Sequence, residues 1–289
     1  MNDYIIMTDS GCDLSEKMLK KINVKSLSFS FHFEDDEKEI LNTDYPAADF
    51  YKQTRMGRMS KTSNINSERY AKAFEEELQK GVDIIYLAFS SGLSCTYNSA
   101  VIAKNELADK YPNQKLIVVD TLCGSAGQGL MLCMAVEQKN AGATIEEVEK
   151  FVLDNRLHIC HWITVDDLKH LKRGGRVSSG VALVGTMLGI KPIVYMNDEG
   201  KLINIGKTRG RNQSIEYLAD KFNELCDRTK TNRVFISHGD CYDDAKRLKD
   251  ILEKKYKANV ELITDIGAVI GSHSGAGTIS MQFYGKSRI

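Results

Sequence analysis

One segment of the chain, residues 83–100, constrains the fold more than any other. An apolar run over residues 84–89 is followed by a turn rich in serine and glycine, Ser90 to Ser94, and then by a helical pattern over residues 97–107. A short apolar run that feeds a helix through a tight turn predicts a buried strand of an α/β sheet. Ligands bind at the carboxyl edge of such sheets, where the N–H groups of a helix N-terminus suit an oxyanion. The segment therefore predicts a binding site, with Ser94 as a plain helix cap as the alternative.

The same strand–turn–helix pattern recurs in the first half of the chain. Strands are predicted over residues 4–8 and 115–119, and helices over 130–141 and 145–155. Strands that alternate with helices through short loops predict parallel βαβ units. Residues 1–155 are therefore expected to form an N-terminal α/β domain with a parallel sheet.

The second half of the chain has a different pattern. Asn197-Asp198-Glu199-Gly200 lies between two apolar runs and is a hairpin signature. Further helices are predicted over 182–189, 212–228 and 243–256, and strands over 158–165, 233–237, 260–264 and 278–284. A hairpin combined with βαβ elements predicts a C-terminal α+β domain with a mixed sheet over residues 156–289. Segments 34–39, 56–66 and 267–277 are predicted as loops.

Composition excludes several classes of protein. Lys plus Arg and Asp plus Glu each number 39, so the chain has no net charge and no basic excess for nucleic acid. The seven cysteines are an odd number without C-x-x-C spacing, which is typical of reduced thiols in a cytoplasmic protein. No signal peptide or apolar run of membrane-spanning length is present in the sequence. We therefore expect a cytoplasmic protein that does not bind nucleic acid.

The segment His158-Ile-Cys160-His161 does not predict a metal site. On a strand His158 and Cys160 share one face and His161 points to the other, and no second cluster completes a ligand set. The loop 124–129, Gly-Ser-Ala-Gly-Gln-Gly, lacks the Gly-Lys-Ser/Thr end of a phosphate loop. Close backbone packing at a helix start, with a part in lining a cavity, explains this loop better.

Nucleophilic catalysis remains an alternative on the residues alone. The turn that contains Ser94 and Cys95 is not a G-x-S-x-G elbow, but His238 and His273 are candidate bases. His273 lies in the glycine-rich segment 267–277, where its ring is either a ligand-binding group or a structural one. Arg209 and Arg211 precede a helix and suit an acidic partner, with a solvated surface as the alternative.

Five segments in order resemble one family over the whole chain. They are Asp9-Ser10-x-x-Asp13-Leu14, Thr62-Ser63, Ser90-Ser91-x-Leu93-Ser94-x-Thr96-Tyr97, Leu168-x-x-Leu171-Lys172-Arg173-Gly174-Gly175-Arg176 and Gly271-Ser-His273-Ser-Gly275. Together these segments are similar to those of the DegV family of bacterial fatty-acid-binding proteins. The resemblance implies a two-domain fold with a lipid held between the domains. It also implies the acyl-carrying subunit of a bacterial fatty acid kinase, which has no catalytic centre and presents the carboxyl group to a separate ATP-binding subunit.

The resemblance implies roles for individual residues. Thr62, Ser94 and His273 would bind the fatty-acid carboxylate. Ser63, Thr96, Ser125, Arg176 and Gly271 would support the site. Independently of the resemblance, the positive charge of Arg209 and Arg211 beside a helix start predicts docking of the kinase subunit, with a solvated surface as the alternative. Neither a cofactor nor a metal is implied, and transient contact with a membrane is compatible with the role. The alternative function for the same pocket is that of an esterase or acyltransferase with a serine or cysteine nucleophile.

The chain departs from the family pattern at three positions. Ile65 and Ala276 stand where proline is expected, and Cys95 where glycine is expected. These changes leave the hydroxyls and the histidine in place, so they bear on pocket shape and on chain preference. Small and apolar residues at 181–188 and 124–129 are expected to supply the pocket wall.

Overall fold

The computed structural model describes residues 4–178 and 189–289. The strands in these ranges are β1 (Tyr4–Asp9), β2 (Lys25–Leu27), β3 (Ser30–Phe33), β4 (Asp36–Leu41), β5 (Ser60–Ser63), β6 (Asp83–Ala88), β7 (Leu116–Asp120), β8 (Ile159–Thr164), β9 (Val177–Ser178), β10 (Ile190–Met196), β11 (Leu202–Arg209), β12 (Arg233–His238), β13 (Asn259–Asp265) and β14 (Ile279–Tyr284). The α-helices are α1 (Glu16–Lys21), α2 (Ala47–Arg55), α3 (Ser67–Leu78), α4 (Thr96–Ala108), α5 (Ala126–Asn140), α6 (Ile145–Asn155), α7 (Lys169–Arg173), α8 (Arg211–Leu225), α9 (Tyr242–Tyr256) and α10 (Ala268–Ser274). None of the described helices is long and apolar enough to cross a bilayer.

The first half contains a four-stranded sheet of order β2-β1-β6-β7 in which all neighbouring strands are parallel. Side chains of β6 alternate between two cores, as the pleat requires. Ile84 and Tyr86 pack with α3 and α4, whereas Ile85 and Leu87 pack with α5 and α6. The parallel α/β sheet predicted for this half is confirmed.

The second half contains a seven-stranded mixed sheet of order β13-β12-β14-β8-β10-β11-β9. Strands β10 and β11 form the hairpin predicted at residues 197–200, and β12 and β13 form a parallel pair. One face of this sheet, which includes Trp162 and Phe283, is covered by α8 and α9. The opposite face, which includes Ile159 and Tyr284, packs against α5. The mixed sheet predicted for this half is also confirmed.

Helix α5 is therefore shared by both sheets, and its first turns are fully buried. Glycine is required there by close contacts rather than by backbone conformation. A Cβ atom on Gly127 would overlap the His161 ring of β8, and one on Gly129 would lie 2.8 Å from the Leu14 side chain. The interpretation of segment 124–129 as close packing at a helix start agrees with this arrangement.

Three segments predicted as loops contain regular structure. Residues 34–39 and 56–66 contribute β4 and β5 to a three-stranded sheet of order β4-β3-β5. The charged sequence of β4 shows no apolar alternation, because this strand faces mostly water and is held by its pairing with β3.

Helix α10 replaces the loop predicted over 267–277, although its glycine and serine content disfavours a helix. Tertiary packing explains the difference. Gly271 lies against Phe50 and Tyr51 of α2, where a Cβ would lie 2.7 Å from the Tyr51 hydroxyl oxygen. The structure does not describe residues 179–188. The cavity wall expected from 181–188 and the helix predicted over 182–189, except for Gly189, therefore lie outside the described residues.

The shared position of α5 predicts a strong effect of one methyl group. Gly127→Ala should lower the free energy of unfolding by about 1–3 kcal/mol, because the helix is held between two sheets and cannot move away from His161. Gly206→Ala is the matched control, since a Cβ there has no neighbour within 4 Å. Urea unfolding of both variants measures the difference. Equal stabilities would contradict the tight packing of α5.

Candidate functional site

A cavity of about 170 Å³ is lined by residues from both halves of the chain. Strand β5 and the turns after β6 and β7 contribute from the first half, and β8, α7, β11 and α10 contribute from the second. Its polar side chains include Thr62, Ser63, Asn64, Ser94, Arg176 and His273, and its apolar side chains include Phe29, Phe89, Ile163, Val165, Met196 and Leu202. The cavity thus has the dual lining of a site for an amphiphilic molecule.

Thr62 and His273 meet at the polar side of this cavity although 211 positions separate them. The Thr62 Oγ1 and His273 Nε2 atoms are 2.9 Å apart. Burial, and then the nearby Arg176 and Arg173 guanidinium groups, lower the pKa of His273 to about 4. The imidazole is therefore neutral near pH 7, so it can exchange hydrogen bonds but brings no positive charge.

The segment Arg173-Gly174-Gly175-Arg176 holds His273 in place. A Cβ on Gly174 would overlap the His273 ring, and Gly175 has a φ of +68°, which favours glycine. Arg176 lines the cavity, and its Nε donates to the Leu93 carbonyl at 3.1 Å. This arginine therefore links the second half to the turn that carries Ser94, and it supplies the positive charge that neutral His273 lacks.

Ser94 lines the cavity and lies one residue before Cys95, the N-cap of α4, so the prediction of Ser94 as the helix cap is wrong by one position. Its Oγ accepts a hydrogen bond from the Thr96 N–H at 3.2 Å. No described residue accepts from the Ser94 hydroxyl, so its hydrogen is available to a ligand oxygen. The turn is fixed from the second half because Ser90 Oγ donates to the Gly200 carbonyl at 2.8 Å.

Among the other sequence-predicted residues, Ser63 and Ser125 line the cavity, whereas Thr96 and Gly271 do not. Thr96 is fully buried and its hydroxyl lies 2.9 Å from the Tyr70 hydroxyl. Gly271 sits on the opposite face of α10, where it allows the helix to approach α2. Both residues therefore support elements that carry cavity residues, without lining the cavity themselves.

The two arginines predicted to dock a partner have different surroundings. Arg209 is exposed at the end of β11. Arg211 forms an ion pair with Asp244 at 2.8 Å, and its side chain is only 17% exposed. Arg211 therefore fixes the start of α8 against α9, and Arg209 is the arginine of the two that presents its charge to solvent.

Sequence reasoning missed Phe89 and His161 as cavity residues. In the sequence Phe89 has the pattern of the end of an apolar strand, and the segment around His161 raises only the question of a metal site, but both side chains line the cavity. Burial, followed by the Arg288 charge, lowers the pKa of His161 to about 3. The neutral ring accepts from the Gly124 N–H at 3.3 Å, and its Nδ1 lies 3.1 Å from the Ile159 carbonyl oxygen.

Several polar side chains in the cavity wall have their donors committed to the protein. Ser125 Oγ donates to the Asp13 carboxylate at 2.5 Å, and Thr278 Oγ1 donates to the Ser274 carbonyl at 2.9 Å. A hydrocarbon chain can lie against such groups without leaving a donor unpaired, which would cost about 1–3 kcal/mol. The wall at Ser125 and Thr278 is therefore compatible with an acyl tail.

Neither Ser94 nor Cys95, the two candidate nucleophiles, is hydrogen-bonded to a histidine among the described residues. His273 Nε2 is bonded to Thr62 rather than to Ser94, and Cys95 Sγ accepts from the Asn64 amide at 3.2 Å. The other candidate base, His238, lines a separate pocket, where it lies 3.6 Å from Asp265. No cluster of His, Cys, Asp or Glu within these ranges could hold a metal ion.

A cavity that is lined from both halves of the chain and has one polar side is typical of a ligand-binding α/β protein. A family model described as "Uncharacterised protein, DegV family" matches residues 4–286, and the chain belongs to this family. A DegV domain-containing protein from Clostridium perfringens is 40% identical over all of this chain and 99% of its own length.

Solved structures share the whole architecture. A DegV lipid-binding protein from Thermotoga maritima has a TM-score of 0.84 and 30% identity, with 99% of this chain and 100% of that chain covered. A stearic-acid-binding protein from Eubacterium ventriosum has a TM-score of 0.87 and 25% identity, with 98% of both chains covered.

The low pKa of His273 predicts a pH-dependent stability. As pH falls from about 6.5 to about 4, the unfolded chain binds a proton on this residue that the folded chain excludes, so the free energy of unfolding decreases. His273→Gln removes that contribution, so its stability should fall less steeply, by up to ~1.4 kcal/mol per pH unit. Urea unfolding at pH 7, 6 and 5 measures both slopes. Parallel slopes would contradict a buried neutral imidazole.

Proposed function

We propose that the protein binds a long-chain fatty acid in this cavity and presents its carboxyl group to a separate ATP-dependent kinase subunit, which forms an acyl phosphate. Thr62, Ser94 and His273 bind the carboxylate, and the apolar lining binds the tail. The contact between Thr62 and His273 in one cavity with Ser94 carries the proposal. It joins hydroxyl and imidazole groups from distant segments at the polar side of an otherwise apolar cavity.

The expected binding free energy of a fatty acid comes mostly from its apolar tail, which agrees with the mainly apolar lining of the cavity. Burial of ~14 methylene groups at about 0.8 kcal/mol each gives ~11 kcal/mol before other terms. Each neutral hydrogen bond adds only ~1 kcal/mol net. The tail therefore supplies most of the affinity, while Thr62, Ser94 and His273 orient the carboxylate and keep it hydrogen-bonded.

Two relatives support the assignment of the ligand. The Thermotoga maritima structure is described as a lipid-binding protein and the Eubacterium ventriosum structure as a stearic-acid-binding protein. Both align over nearly the whole chain. A fatty acid is the ligand class that agrees with these descriptions and with the dual lining of the cavity.

The proposal assigns phosphoryl transfer to a separate kinase subunit, and two features of this chain agree with that assignment. The loop 124–129 lacks the lysine of a phosphate loop, and no metal cluster is found in the described ranges. A fatty-acid carboxylate held by neutral hydroxyls stays ionised and keeps a free lone pair. Once a partner brings ATP to the mouth of the cavity, a carboxylate oxygen can attack the γ-phosphorus while the bond from that phosphorus to the β,γ-bridging oxygen breaks, and ADP leaves with the partner.

The partner would dock on a basic strip near the start of α8. Lys207 and Arg209 are both exposed on β11, in a segment without acidic side chains. A positive strip on a neutral protein steers an acidic partner and raises the association rate at low salt. Arg211 contributes indirectly, because its ion pair with Asp244 fixes the helix beside the strip.

Loss of one hydroxyl that binds the carboxylate should weaken fatty-acid binding without unfolding the protein. Thr62→Val and Ser94→Ala each remove a hydrogen bond to a charged group, so we expect the dissociation constant to rise roughly tenfold. Ser99→Ala, on α4 but outside the cavity, should bind as the wild type does. Titration with stearic acid measures all three variants. Wild-type affinity in both the Thr62→Val and the Ser94→Ala variant would show that the carboxylate binds elsewhere.

Mass spectrometry after denaturation separates binding from the esterase or acyltransferase alternative. Non-covalent binding predicts free fatty acid in the extract and a polypeptide of unchanged mass. A stoichiometric acyl adduct on Ser94 or Cys95 would instead favour covalent catalysis and contradict the proposal.

Charge reversal tests the docking strip. Arg209→Glu should abolish partner-dependent acyl-phosphate formation while fatty acid stays bound, because the substitution repels an acidic partner at a distance from the cavity lining. Lys230→Glu, another exposed site, is the control and should keep wild-type turnover. The assay uses the ATP-binding subunit of the same organism at low salt. Full turnover of the Arg209 variant would contradict docking at this strip.

A further inference from the structure

We propose that the Phe89 ring, wedged against Gly124, sets the width of the cavity and thereby selects among fatty acids by the shape of the acyl chain. This inference rests on the proposed function, since it concerns the same cavity. Phe89 lines the cavity and is only 9% exposed, although it lies immediately before the serine-rich turn.

The ring is held firmly from several directions. The Phe89 N–H donates to the buried Asp9 carboxylate at 2.9 Å, which fixes the backbone at the end of β6. Phe29 packs against the ring edge to face, with 5.8 Å between ring centroids and an interplanar angle of 77°. A Cβ on Gly11 would lie 2.6 Å from the Phe89 Cδ2 atom, so the backbone also approaches the ring closely. A ring so confined acts as a fixed wall rather than an adaptable one.

Gly124 has no conformational reason to be glycine, because its φ is not positive. The three atoms nearest to a Cβ at this position all belong to the Phe89 ring, at 2.6, 3.2 and 3.4 Å. The absence of a side chain at Gly124 is therefore what lets the ring occupy its observed place. A methyl group there acts on the cavity through Phe89, because it displaces the ring from Gly124.

A fixed aromatic wall distinguishes acyl chains by shape more than by polarity. A straight saturated chain lies along a narrow cavity, whereas a cis double bond bends the chain and needs more width. Each methylene group that the wall excludes from the cavity lowers the affinity about fourfold. A smaller side chain at position 89 should therefore favour bent chains, and a displaced ring should disfavour them.

Two variants that should change the ratio of bound oleic to stearic acid in opposite directions test this inference. Phe89→Leu widens the cavity, so the ratio of bound oleic to stearic acid should rise at least about fourfold. Gly124→Ala pushes the ring away from the backbone, so the same ratio should fall. The double variant should return towards the wild-type ratio, since the added methyl then finds a smaller neighbour. Phe33→Leu, outside the cavity lining, is the control for loss of an aromatic side chain and should leave the ratio unchanged.

The measurement is competition of equimolar oleic and stearic acid for the delipidated protein, followed by extraction and mass spectrometry. Thermal melting confirms that each variant is folded, and Phe89→Met replaces Phe89→Leu if the latter is not. Unchanged ratios in both single variants, with fatty acid bound, would overturn the role of Phe89 while leaving the proposed function intact. A wild-type protein that binds neither acid would overturn the proposed function itself, and with it this inference.

Discussion

The close approach of two sheets to a single helix is the constraint on which the rest of the structure depends. Helix α5 packs on the parallel sheet through residues such as Leu130, and on the mixed sheet through its glycine-rich first turns. Because Gly127 lets the His161 ring lie directly against the helix, the two sheets are held at one separation. The cavity lies beside this contact, and Gly124 and Ser125 at the start of α5 are part of its wall.

Asp13 reinforces the same junction with a buried carboxylate. Its two oxygens accept from the Gly267 N–H at 3.0 Å and from the Ser125 hydroxyl at 2.5 Å. Burial raises the pKa of Asp13 to about 7, against the opposing effect of these hydrogen bonds. The carboxylate thus ties the first half to the segment before α10, which carries His273. The motif Asp9-Ser10-x-x-Asp13 is in this way structural, although it lies near the cavity.

The cavity depends on contacts between segments that are far apart in sequence. The absence of a side chain at Gly174 leaves room for the His273 ring. Arg176 donates a hydrogen bond to the Leu93 carbonyl, and the Ser90 hydroxyl donates one to the Gly200 carbonyl. Each contact joins a residue of the second half either to α10 or to the serine-rich turn. The first two contacts give Gly174 and Arg176 of the segment 173–176 their structural roles. They also make the geometry of the site a property of the whole fold rather than of any one loop.

The sequence by itself determined the layered architecture, because periodicity in apolar side chains reports burial directly. The apolar run before Ser90 and the hairpin at 197–200 predicted elements that the structure contains, and strand alternation correctly separated Cys160 from His161. Only the tertiary structure decided that the glycine-rich segment around His273 is a helix, since packing on Tyr51 outweighs its weak helix propensity. Likewise, only the tertiary structure shows that Arg211 is paired with Asp244 and that Phe89 lines the cavity. These features depend on distances between remote residues, which local patterns of side chains do not encode.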